Sequence, residues 1–490
     1  MIGEFDRSKP DAAAVAVARI SPIYTLPNEL LAHIFTVGAA WSHKEPILSQ
    51  SHLDFALLVC TVSRLWRAIA FSSPPLWSRL VFTGSQRAQE CCTKVLLPRS
   101  GSHPLDIVIN CSAQEVQRVL DIALPHSQRW RELSISAWDD EQDFQHVLKP
   151  LRDVYVPLLQ HVEIKCEEDD GFHGFGAPHR ACFVLGAPAL NSVRLRGLCM
   201  GCGPSLTNLD TLRLDSKTIA LEQEQLETAI AASPALRCLQ LRLQSFTPSR
   251  SSAIKIPSLR NLSLNLRGCH HSKHLLWLFA TIFAPALECL ELVSLNALDI
   301  EVLRTSCQEY PQYSRPHTLK LSSIRAEPSD YDTLLNLFPA IKSLYLLDSP
   351  GKPTLSRLTS LKSITYSHDV ENMSSDRARN EDPTQWLLKH VKDCHGTLQA
   401  MDTVRVARSV IEEFPDLVIA FGAVHPMLIR AHAERKRVRE ADWQTLRDLV
   451  NLVEVADDDD CLRDSWEIDR WTERDESEGP RYHVERRWGY

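Results

Sequence analysis

The stretches LPNELLAHIF (Leu26–Phe35) and VCTVSRLWRAIAFSSPPLWSRLVF (Val59–Phe82) decide how the N-terminal part of this chain folds. Pro27 suits the first turn of a helix, where its missing N–H is not needed, and Glu29 suits the positive end of the helix dipole. The apolar residues that follow Glu29 recur at helical spacing and form one apolar face. The first stretch therefore predicts a helix that begins close to Pro27.

Two further helices are predicted before the second stretch ends. The second helix is indicated by the apolar residues Leu53, Ala56, Leu57 and Cys60. Ser63 is a suitable N-cap for a third helix, and Ser73-Pro74-Pro75 ends that helix because proline cannot continue it. A module this small and this apolar leaves two interpretations open. The helices are either core elements of a larger domain, or they offer surplus apolar surface to a partner.

The motif that these helices carry resembles a known family. L-P-x-E-L-L-x-x-I-F, then L-L-V-C-x-V-S-R-x-W-R, and then S-P-x-L-W resemble the F-box, and the last element is similar to F-box proteins that are abundant in fungi. The resemblance extends from Leu26 to Trp77. The polar insertion between the first two helices is longer than in a compact F-box.

The resemblance implies a function. F-box proteins are substrate receptors of SCF-type cullin-RING ubiquitin ligases, in which the F-box binds a Skp-family adaptor and a C-terminal repeat domain holds a protein substrate. This family does no chemistry of its own, so the resemblance implies a binding protein rather than an enzyme. The residues that the resemblance assigns to the adaptor are Leu26, Pro27, Leu30, Ile34, Phe35, Leu57, Val59, Cys60, Leu65 and Trp66.

From Leu80–Phe82 to Ile364–Tyr366 the chain repeats a short L-x-L alternation. Many copies follow another apolar residue at a distance of three, as in PALRCLQL, PALECLEL and PAIKSLYL. From Leu133 onward the copies are spaced 19 to 31 residues apart, which is the period range of leucine-rich repeats. The expected fold is α/β: an N-terminal three-helix F-box and then an irregular leucine-rich-repeat solenoid, with parallel strands inside and helices outside.

The alternate residues of the predicted strands are expected to face the concave surface of the solenoid. They are Glu163, Arg194, Arg213, Gln240, Ser263, Glu291, Lys320, Tyr345 and Thr365. The predicted substrate-binding residues are Arg194, Arg213, Gln240, Glu291, Lys320 and Tyr345. Their mixed charge suits a protein surface better than a phosphate backbone. For each of them, an ordinary solvated strand residue is the alternative.

Composition restricts the partners and the compartment. The contents of 44% hydrophobic and 24% charged residues are those of a globular protein. A formal net charge of −8 argues against nucleic acid as a partner. No apolar run is long enough to cross a bilayer, and no secretory signal is recognisable, so we expect no membrane partner. Fourteen cysteines stand mostly single in apolar runs, as at Cys60, Cys238 and Cys289, which predicts reduced thiols in a cytoplasmic or nuclear protein.

Five segments are expected along the chain. They are a flexible lead-in at 1–20, the F-box-like helices at 21–79, the repeats at 80–367, a linker and helical cap at 368–456, and an acidic, disordered tail at 457–490. The cap is predicted from the helical pattern of VRVARSVIEEF and of residues 440–456. The tail contains three tryptophans, which would also fit a segment that docks on a partner.

Two groups of residues could carry chemistry, but neither is convincing. His179-x-x-Cys182 and Cys199-x-x-Cys202 have a formal zinc spacing, yet they lie within the repeats and are interpreted as incidental. CEEDDGFHGFG (166–176) is interpreted as an acidic loop rather than an acid–base site. The sequence contains no phosphate-binding or hydrolase motif, so we expect no catalytic residue, metal or cofactor.

Two alternative functions are also compatible with the sequence. The protein could be a scaffold that uses the F-box without ubiquitin transfer. It could also hold a small ligand in the solenoid, as some leucine-rich F-box receptors do. The second alternative predicts a basic pocket at the concave centre, where the sequence shows only scattered Arg and Lys residues.

Overall fold

The computed structural model describes only part of the chain. The described residues are 23, 26–41, 51–138, 148–167, 182–197, 204, 206–216, 221–243, 245–249, 253–267, 269, 271–309, 315–324, 326–349, 355, 358, 360–367, 383–394, 402–407 and 440–455. The predicted lead-in, the linker at 368–382 and the predicted tail lie outside them. The chain divides into two compact units, Met1–Val81 with Ser85–Asp106, and Phe82–Gly84 with Ile107–Tyr490.

The first unit is helical. Its helices are α1 (Asn28–Trp41), α2 (Ser51–Val62), α3 (Arg64–Phe71), the 3-10 turn Pro74–Trp77, α4 (Gln86–Cys91), the π-helical stretch Cys92–Leu96 and α5 (Leu97–Arg99). The three predicted helices are confirmed, and so is the N-cap of the third, since the backbone N–H of Trp66 donates to Ser63 Oγ at 3.1 Å. Two prolines at the start of the 3-10 turn end α3 as expected.

The core of this unit is formed from one face of each helix. On α1, Leu31, Phe35 and Ala39 recur every four residues and are buried. The ring of Trp66 packs on Phe35 with centroids 4.8 Å apart, which joins α3 to α1. Trp77 is fully buried, and its indole N–H donates to the carbonyl of Ala70 at 2.8 Å. This bond satisfies a polar group that burial would otherwise penalise.

The first compact unit is larger than the F-box-like segment predicted at 21–79, because it also contains Ser85–Asp106. The guanidinium carbon of Arg99 lies 4.3 Å from the ring centroid of Phe71 and 5.0 Å from that of Trp77. Cys92 Sγ approaches the carbonyl oxygen of Val81 at 3.4 Å. The segment therefore covers aromatic rings at the end of α3, a contact that helical periodicity does not predict.

The second unit is built on a sheet. In the described part of the chain the strands are β1 (Arg79–Thr83), β2 (Leu105–Ser112), β3 (Trp130–Trp138), β4 (His161–Glu167), β5 (Ser192–Arg196), β6 (Thr211–Ser216), β7 (Leu221–Glu222), β8 (Cys238–Leu243), β9 (Phe246–Thr247), β10 (Ile254–Lys255), β11 (Asn261–Asn265), β12 (Ile282–Phe283), β13 (Cys289–Val293), β14 (Thr318–Ser322), β15 (Ser343–Leu347), β16 (Ser363–Tyr366), β17 (Thr403–Ala407) and β18 (Asn451–Val455). The boundary between the two units falls within β1 and near the start of β2.

The main sheet of the second unit follows the order of the chain. From β3 to β18 it runs β3-β4-β5-β6-β8-β11-β13-β14-β15-β16-β17-β18, and every neighbouring pair is parallel. The remaining short strands pair as β7 with β9 and β10 with β12. Parallel strands in chain order, joined by helices, are the topology of a repeat solenoid, so the predicted α/β fold class is confirmed.

Helices connect many of the strands. The helices described in this unit are α6 (Ala113–Ala123), α7 (Gln223–Ala232), α8 (Lys273–Thr281), α9 (Ala297–Glu309), α10 (Pro328–Asn336), α11 (Pro383–Cys394) and α12 (440–449), with 3-10 turns at Leu124–Arg129 and Lys149–Leu151. Consecutive helices α8, α9 and α10 contact one another, as stacked repeats require. The leucines of each L-x-L copy, such as Leu212 and Leu214, are buried in the core.

A left-handed residue follows several strands of the sheet. The backbone φ angles are 61° at Ser294, 54° at Ser323 and 44° at Asp348, directly after β13, β14 and β15. Each of these residues donates its N–H to the next repeat; for example, Ser294 bonds the Ser322 carbonyl at 2.9 Å. The repeats thus leave the sheet through one recurring turn, although their loops differ in length.

The sheet continues beyond residue 367, where the sequence predicted that the pattern ends. The helical interpretation of VRVARSVIEEF was wrong for residues 404–407, which belong to β17, the strand that pairs with β16. Residues 440–449 are helical as predicted, but Asn451–Val455 form β18 rather than the last turn of that helix. β17 forms because Val404 and Val406 alternate with polar residues, and this alternation is the period of a strand.

Candidate functional site

Exposed apolar side chains are concentrated on helices α1 to α3. Of fourteen large hydrophobic residues that are exposed in the described part of the chain, eight lie on these three helices. They are Leu30, Ile34, Val37, Leu57, Leu58, Val62, Leu65 and Phe71, and we call them the helical surface. Scattered exposed apolar residues need no explanation, but a concentration on one short segment marks a site of interaction.

The spacing of these residues follows from helix geometry. On α1, Leu30, Ile34 and Val37 recur at intervals of four and three, so they share one face. That face is distinct from the buried one that contains Leu31 and Phe35. Each helix of the module is therefore apolar on more than one side, and only one side is covered within the described residues.

The structure divides the ten predicted adaptor-binding residues into three groups. Pro27, Leu30, Ile34, Leu57 and Leu65 are exposed, and Leu26 and Trp66 are partly exposed. Phe35, Val59 and Cys60 are buried in the core of the first unit. These three cannot touch a partner in this conformation, because packing against neighbouring helices covers them. Their role in this conformation is to hold the exposed residues in place.

Four residues of the helical surface are not among the predicted adaptor-binding residues. Val37, Leu58, Val62 and Phe71 are exposed by 41%, 61%, 52% and 44%. Val37 stands seven residues after Leu30, and Val62 stands four after Leu58, so helical spacing could have found them. The F-box-like motif includes Leu58 and Val62, but the predicted adaptor-binding set left them out; Val37 and Phe71 lie outside the positions that the motif names.

The predicted concave residues are brought into one row by the strand register. Across neighbouring strands the aligned positions are Glu163, Arg194, Arg213, Gln240, Ser263, Glu291, Lys320, Tyr345 and Thr365, and we call them the central row. Glu163 and Arg194 form an ion pair at 3.1 Å, and Lys320 Nζ lies 5.1 Å from the ring centroid of Tyr345. Two pairs of neighbours in the central row therefore contact each other along the sheet, and contact with a substrate stays a prediction.

The central row is less exposed than the prediction assumed. Arg213, Ser263, Glu291 and Thr365 are buried, whereas Arg194, Gln240, Lys320 and Tyr345 keep partial exposure. Neighbouring strands lie only about 4.8 Å apart, so long polar side chains on one face cover each other. The row is a packed polar layer rather than a set of solvated residues.

A second row of charged residues was missed entirely. Two positions after Glu163, Arg194, Arg213 and Gln240, the register aligns Lys165, Arg196, Asp215 and Arg242. All four are buried. Asp215 Oδ2 lies 3.7 Å from Arg196 Nε and 3.5 Å from Arg242 Nη1, so one carboxylate bridges two guanidinium groups. The sequence prediction named only the middle position of each apolar-x-apolar copy, and these residues follow its last apolar residue.

Two thiols flank Asn261 at the other end of the strands. The register aligns Cys238, Asn261 and Cys289, and both cysteines are half-buried. The pKa of each thiol is raised to about 11, mainly by burial; the carboxylate of Glu291 contributes to the increase in both pKa values, and Lys320 opposes it. The prediction placed these cysteines in the apolar core, but they share the environment of the central row. They are held as neutral thiols at neutral pH.

The four residues with a formal zinc spacing, which the sequence analysis interpreted as incidental, are not all among the described residues. Cys182 is buried, and burial raises the pKa of its thiol to about 12, while His179, Cys199 and Cys202 lie outside the described residues. Most of the acidic loop at 166–176 also lies outside them. Among the residues that are described, no three His, Cys, Asp or Glu side chains form a metal-binding group, and the nine cysteines are free thiols.

The first unit is similar to a protein family. The F-box-like family model matches residues 23–83. These residues therefore form an F-box-like domain, which includes α1 to α3 and the whole helical surface. F-box domains generally bind Skp-family adaptors. No curated protein matches the chain, and no helix in its described ranges is long and apolar enough to cross a membrane.

The chain is also similar to a solved structure, the crystal structure of the TLR13–ssRNA13 complex. The similarity covers 62% of this chain and 38% of that chain, at 20% sequence identity and a TM-score of 0.34. The chain thus spans less than two thirds of the length of that protein. The architecture that follows the F-box-like domain is established here by its own strand pairing.

Proposed function

We propose that this protein is the substrate-recognition subunit of an SCF-type ubiquitin ligase. Its F-box-like domain binds a Skp-family adaptor and, through it, a cullin-RING ligase. Its repeat unit binds a protein substrate. The protein catalyses no reaction and needs no cofactor; it raises the effective concentration of the substrate near the ligase. We propose the cytoplasm or the nucleus as the compartment, where F-box proteins typically act.

The observation that carries the proposal is the helical surface on the F-box-like domain. Leu30, Ile34, Leu58 and Val62 expose 48% to 61% of their area. Complete burial of an aliphatic side chain contributes about 1.5–3 kcal/mol. Several half-exposed residues together therefore offset part of an association cost of about 4–15 kcal/mol. A partner that covers this surface gains the binding energy that the isolated domain leaves unused.

The arrangement of the repeat unit supports the substrate-binding part. The central row places Arg194, Gln240, Lys320 and Tyr345 on one face of a continuous sheet, each with partial exposure. Arg and Tyr are enriched among the residues that dominate protein interfaces. A rigid scaffold of parallel strands holds them in fixed positions, which lowers the entropy lost on binding.

Co-purification with a Skp-family adaptor tests the proposal. We expect the full chain to retain the adaptor, and Ile34→Asp to abolish retention because it places a charge in a desolvated apolar contact. Leu298→Asp is the matched control, since Leu298 is 73% exposed but lies in the second unit. Absence of binding by the wild type, or equal retention by Ile34→Asp, would contradict the proposed adaptor site.

The same preparation separates ligase function from a scaffold function. If the adaptor complex also contains a cullin, and if ubiquitin is transferred to a co-purified protein, the ligase function is supported. If the adaptor binds and no cullin joins it, the protein is a binding protein that uses the F-box-like domain without ubiquitin transfer.

A further inference from the structure

A second concentration of exposed apolar side chains lies in the repeat unit. Six large exposed hydrophobic residues of the described part of the chain stand outside the helical surface, and four of these six belong to two short segments that precede β4 and β5. They are Tyr155, Leu158, Val184 and Leu185, which expose 43% to 61% of their area, and we call them the loop patch. None of them belongs to the central row. A concentration of this kind marks a site of interaction.

Backbone hydrogen bonds hold the two segments of the loop patch side by side. The N–H of Val184 donates to the Arg152 carbonyl at 2.8 Å, and the N–H of Val156 donates to the Gly186 carbonyl at 3.1 Å. A Cβ atom at Gly186 would lie 3.6 Å from the ring of Tyr155, so the ring lies against this glycine. The patch is therefore fixed before a partner arrives, which lowers the entropy lost on binding.

Comparison among the repeats shows that the fold does not require an apolar residue at the position of Leu158. Six copies place a proline, one variable residue and a buried aliphatic residue before a strand; they are Pro157–Leu159, Pro188–Leu190, Pro234–Leu236, Pro257–Leu259, Pro285–Leu287 and Pro339–Ile341. The variable residue is Ala or Ser in the last five copies and leucine only in the first. A small residue suffices for packing there, so the exposed leucine is free to serve a contact outside the chain.

The size of the loop patch selects among its possible occupants. A second copy of this chain would bury about 800 Å² on each partner, and four side chains that are about half exposed offer much less. Tyr155 and Leu158 are three residues apart, so at most about 10 Å separates their Cα atoms. Two turns of a helix rise about 11 Å. The patch therefore matches one apolar stripe of a short helix.

We propose that the loop patch binds a short amphipathic helix of a partner protein, through large apolar side chains spaced three or four residues apart. Arg152 and Asp153 stand directly before the patch in the chain, with 44% and 79% side-chain exposure, and they suit the polar flank of such a helix. The inference goes beyond the proposed function and does not depend on it. It gives the repeat unit a second protein contact besides the central row.

Selection from a random peptide library displayed on phage, with the full chain as the target, tests this inference. The library contains peptides of about fifteen residues, long enough for several helical turns. We expect the enriched peptides to carry large apolar residues at helical spacing. Labelled copies of these peptides are then titrated with the full chain in fluorescence anisotropy.

The decisive variant is Leu158→Ala with Leu185→Ala. Other copies carry alanine at the position of Leu158, and Leu185 is 61% exposed, so the fold should remain intact. We expect the affinity for the selected peptides to fall at least about tenfold, because truncation of central interface residues has effects of this size. Leu298→Ala is the matched control, since Leu298 is an exposed leucine of the same unit outside the patch. The control should bind as the wild type does.

Each outcome supports or overturns the inference. Loss of peptide binding in the double variant, with binding retained by the control, supports it. Failure to enrich apolar peptides, or equal binding by the wild type and the double variant, overturns it. Peptides that lose affinity only in Ile34→Asp bind the helical surface, which also overturns the loop patch. Adaptor retention is measured on the same preparations, so failure of the loop patch and failure of the proposed function are distinguishable.

Two other occupants are tested with the same protein. Sedimentation at increasing concentration detects a second copy, and a dimer that the double variant dissociates overturns the inference in favour of self-association. Trp466→Ser with Trp471→Ser in the full chain tests its own C-terminal segment. If this variant binds the selected peptides at least about tenfold more tightly than the wild type, that segment occupies the patch and the inference is wrong.

Discussion

The carboxylate of Asp215 lies 3.5 Å from Nη1 of Arg242, and both side chains are buried. The same carboxylate approaches Arg196 at 3.7 Å, so its removal leaves two buried cations without their shared counter-charge. Loss of one partner from a buried pair costs about 3–5 kcal/mol. We therefore expect Asp215→Asn to lower the free energy of unfolding by about that amount in urea denaturation.

Asp210→Asn is the control for this prediction. Asp210 pairs with Arg237 at 3.5 Å in the same unit, but their side chains are 50% and 67% exposed. Exposed pairs contribute only about 0–1 kcal/mol, so this variant should change stability little. If both variants lose the same stability, the buried bridge has no special role.

Neighbouring residues on α1 should respond in opposite ways to substitution. Phe35 is buried against Trp66, and Phe35→Ala should lower the free energy of unfolding of the first unit by about 3–5 kcal/mol. Ile34 is 48% exposed, so Ile34→Asp should change the free energy of unfolding of the first unit by only about 0.5 kcal/mol. Denaturant unfolding followed by tryptophan fluorescence measures both, and a large loss for Ile34→Asp would show that it packs in the core.

Arg99 should stabilise the first unit through the rings of Phe71 and Trp77. A cation over aromatic faces contributes about 0.5–2 kcal/mol, so Arg99→Gln should lower the free energy of unfolding within that range. Lys94→Gln on the same segment removes a cation that is 71% exposed and pairs only with Glu90 among the ion pairs described. It should have little effect, and equal losses from the two variants would contradict the ring contacts.

The thiols of Cys238 and Cys289 should react slowly with alkylating reagents in the folded protein. Burial raises their pKa values from 9.0 to about 11, and only the thiolate is nucleophilic. At about pH 8 the thiolate fraction is therefore about a hundredfold lower than in the unfolded chain. Mass spectrometry of the two peptides, with and without urea, measures this ratio, and similar rates in both states would contradict it.

The raised pKa values of Cys238 and Cys289 predict how the free energy of unfolding depends on pH. A raised thiol pKa means that the thiol stays protonated in the folded state at a pH where the same thiol loses its proton in the unfolded chain. Stability from Cys238 and Cys289 is therefore fully present below pH 9 and is lost as the pH rises toward about 11. The double variant with alanine at both positions should lose less stability between these pH values than the wild type does.

Local periodicity in the sequence determined much of this architecture. The three helices, the Ser63 cap and the L-x-L strands follow from spacing and turn chemistry, which act between residues close in the chain. The central row was also predictable, because alternate residues of a strand face one side wherever the strand lies. Helical spacing grouped the apolar residues of α1 on one face, and only the resemblance to the F-box assigned Leu30 and Ile34 to a partner; the structure exposes these two.

Only the tertiary structure decided which residues from different repeats become neighbours. Arg196, Asp215 and Arg242 form a bridge because β5, β6 and β8 pair in one particular register, which loops of unequal length do not reveal. The position of Arg99 over Trp77 likewise depends on how a later segment folds back onto α3 and the turn after it. The sequence by itself determined which elements form and which faces they present, since those depend on local geometry. The buried bridge at Asp215 and the packed polar layer of the central row depend on long-range pairing, and only the folded chain defines them.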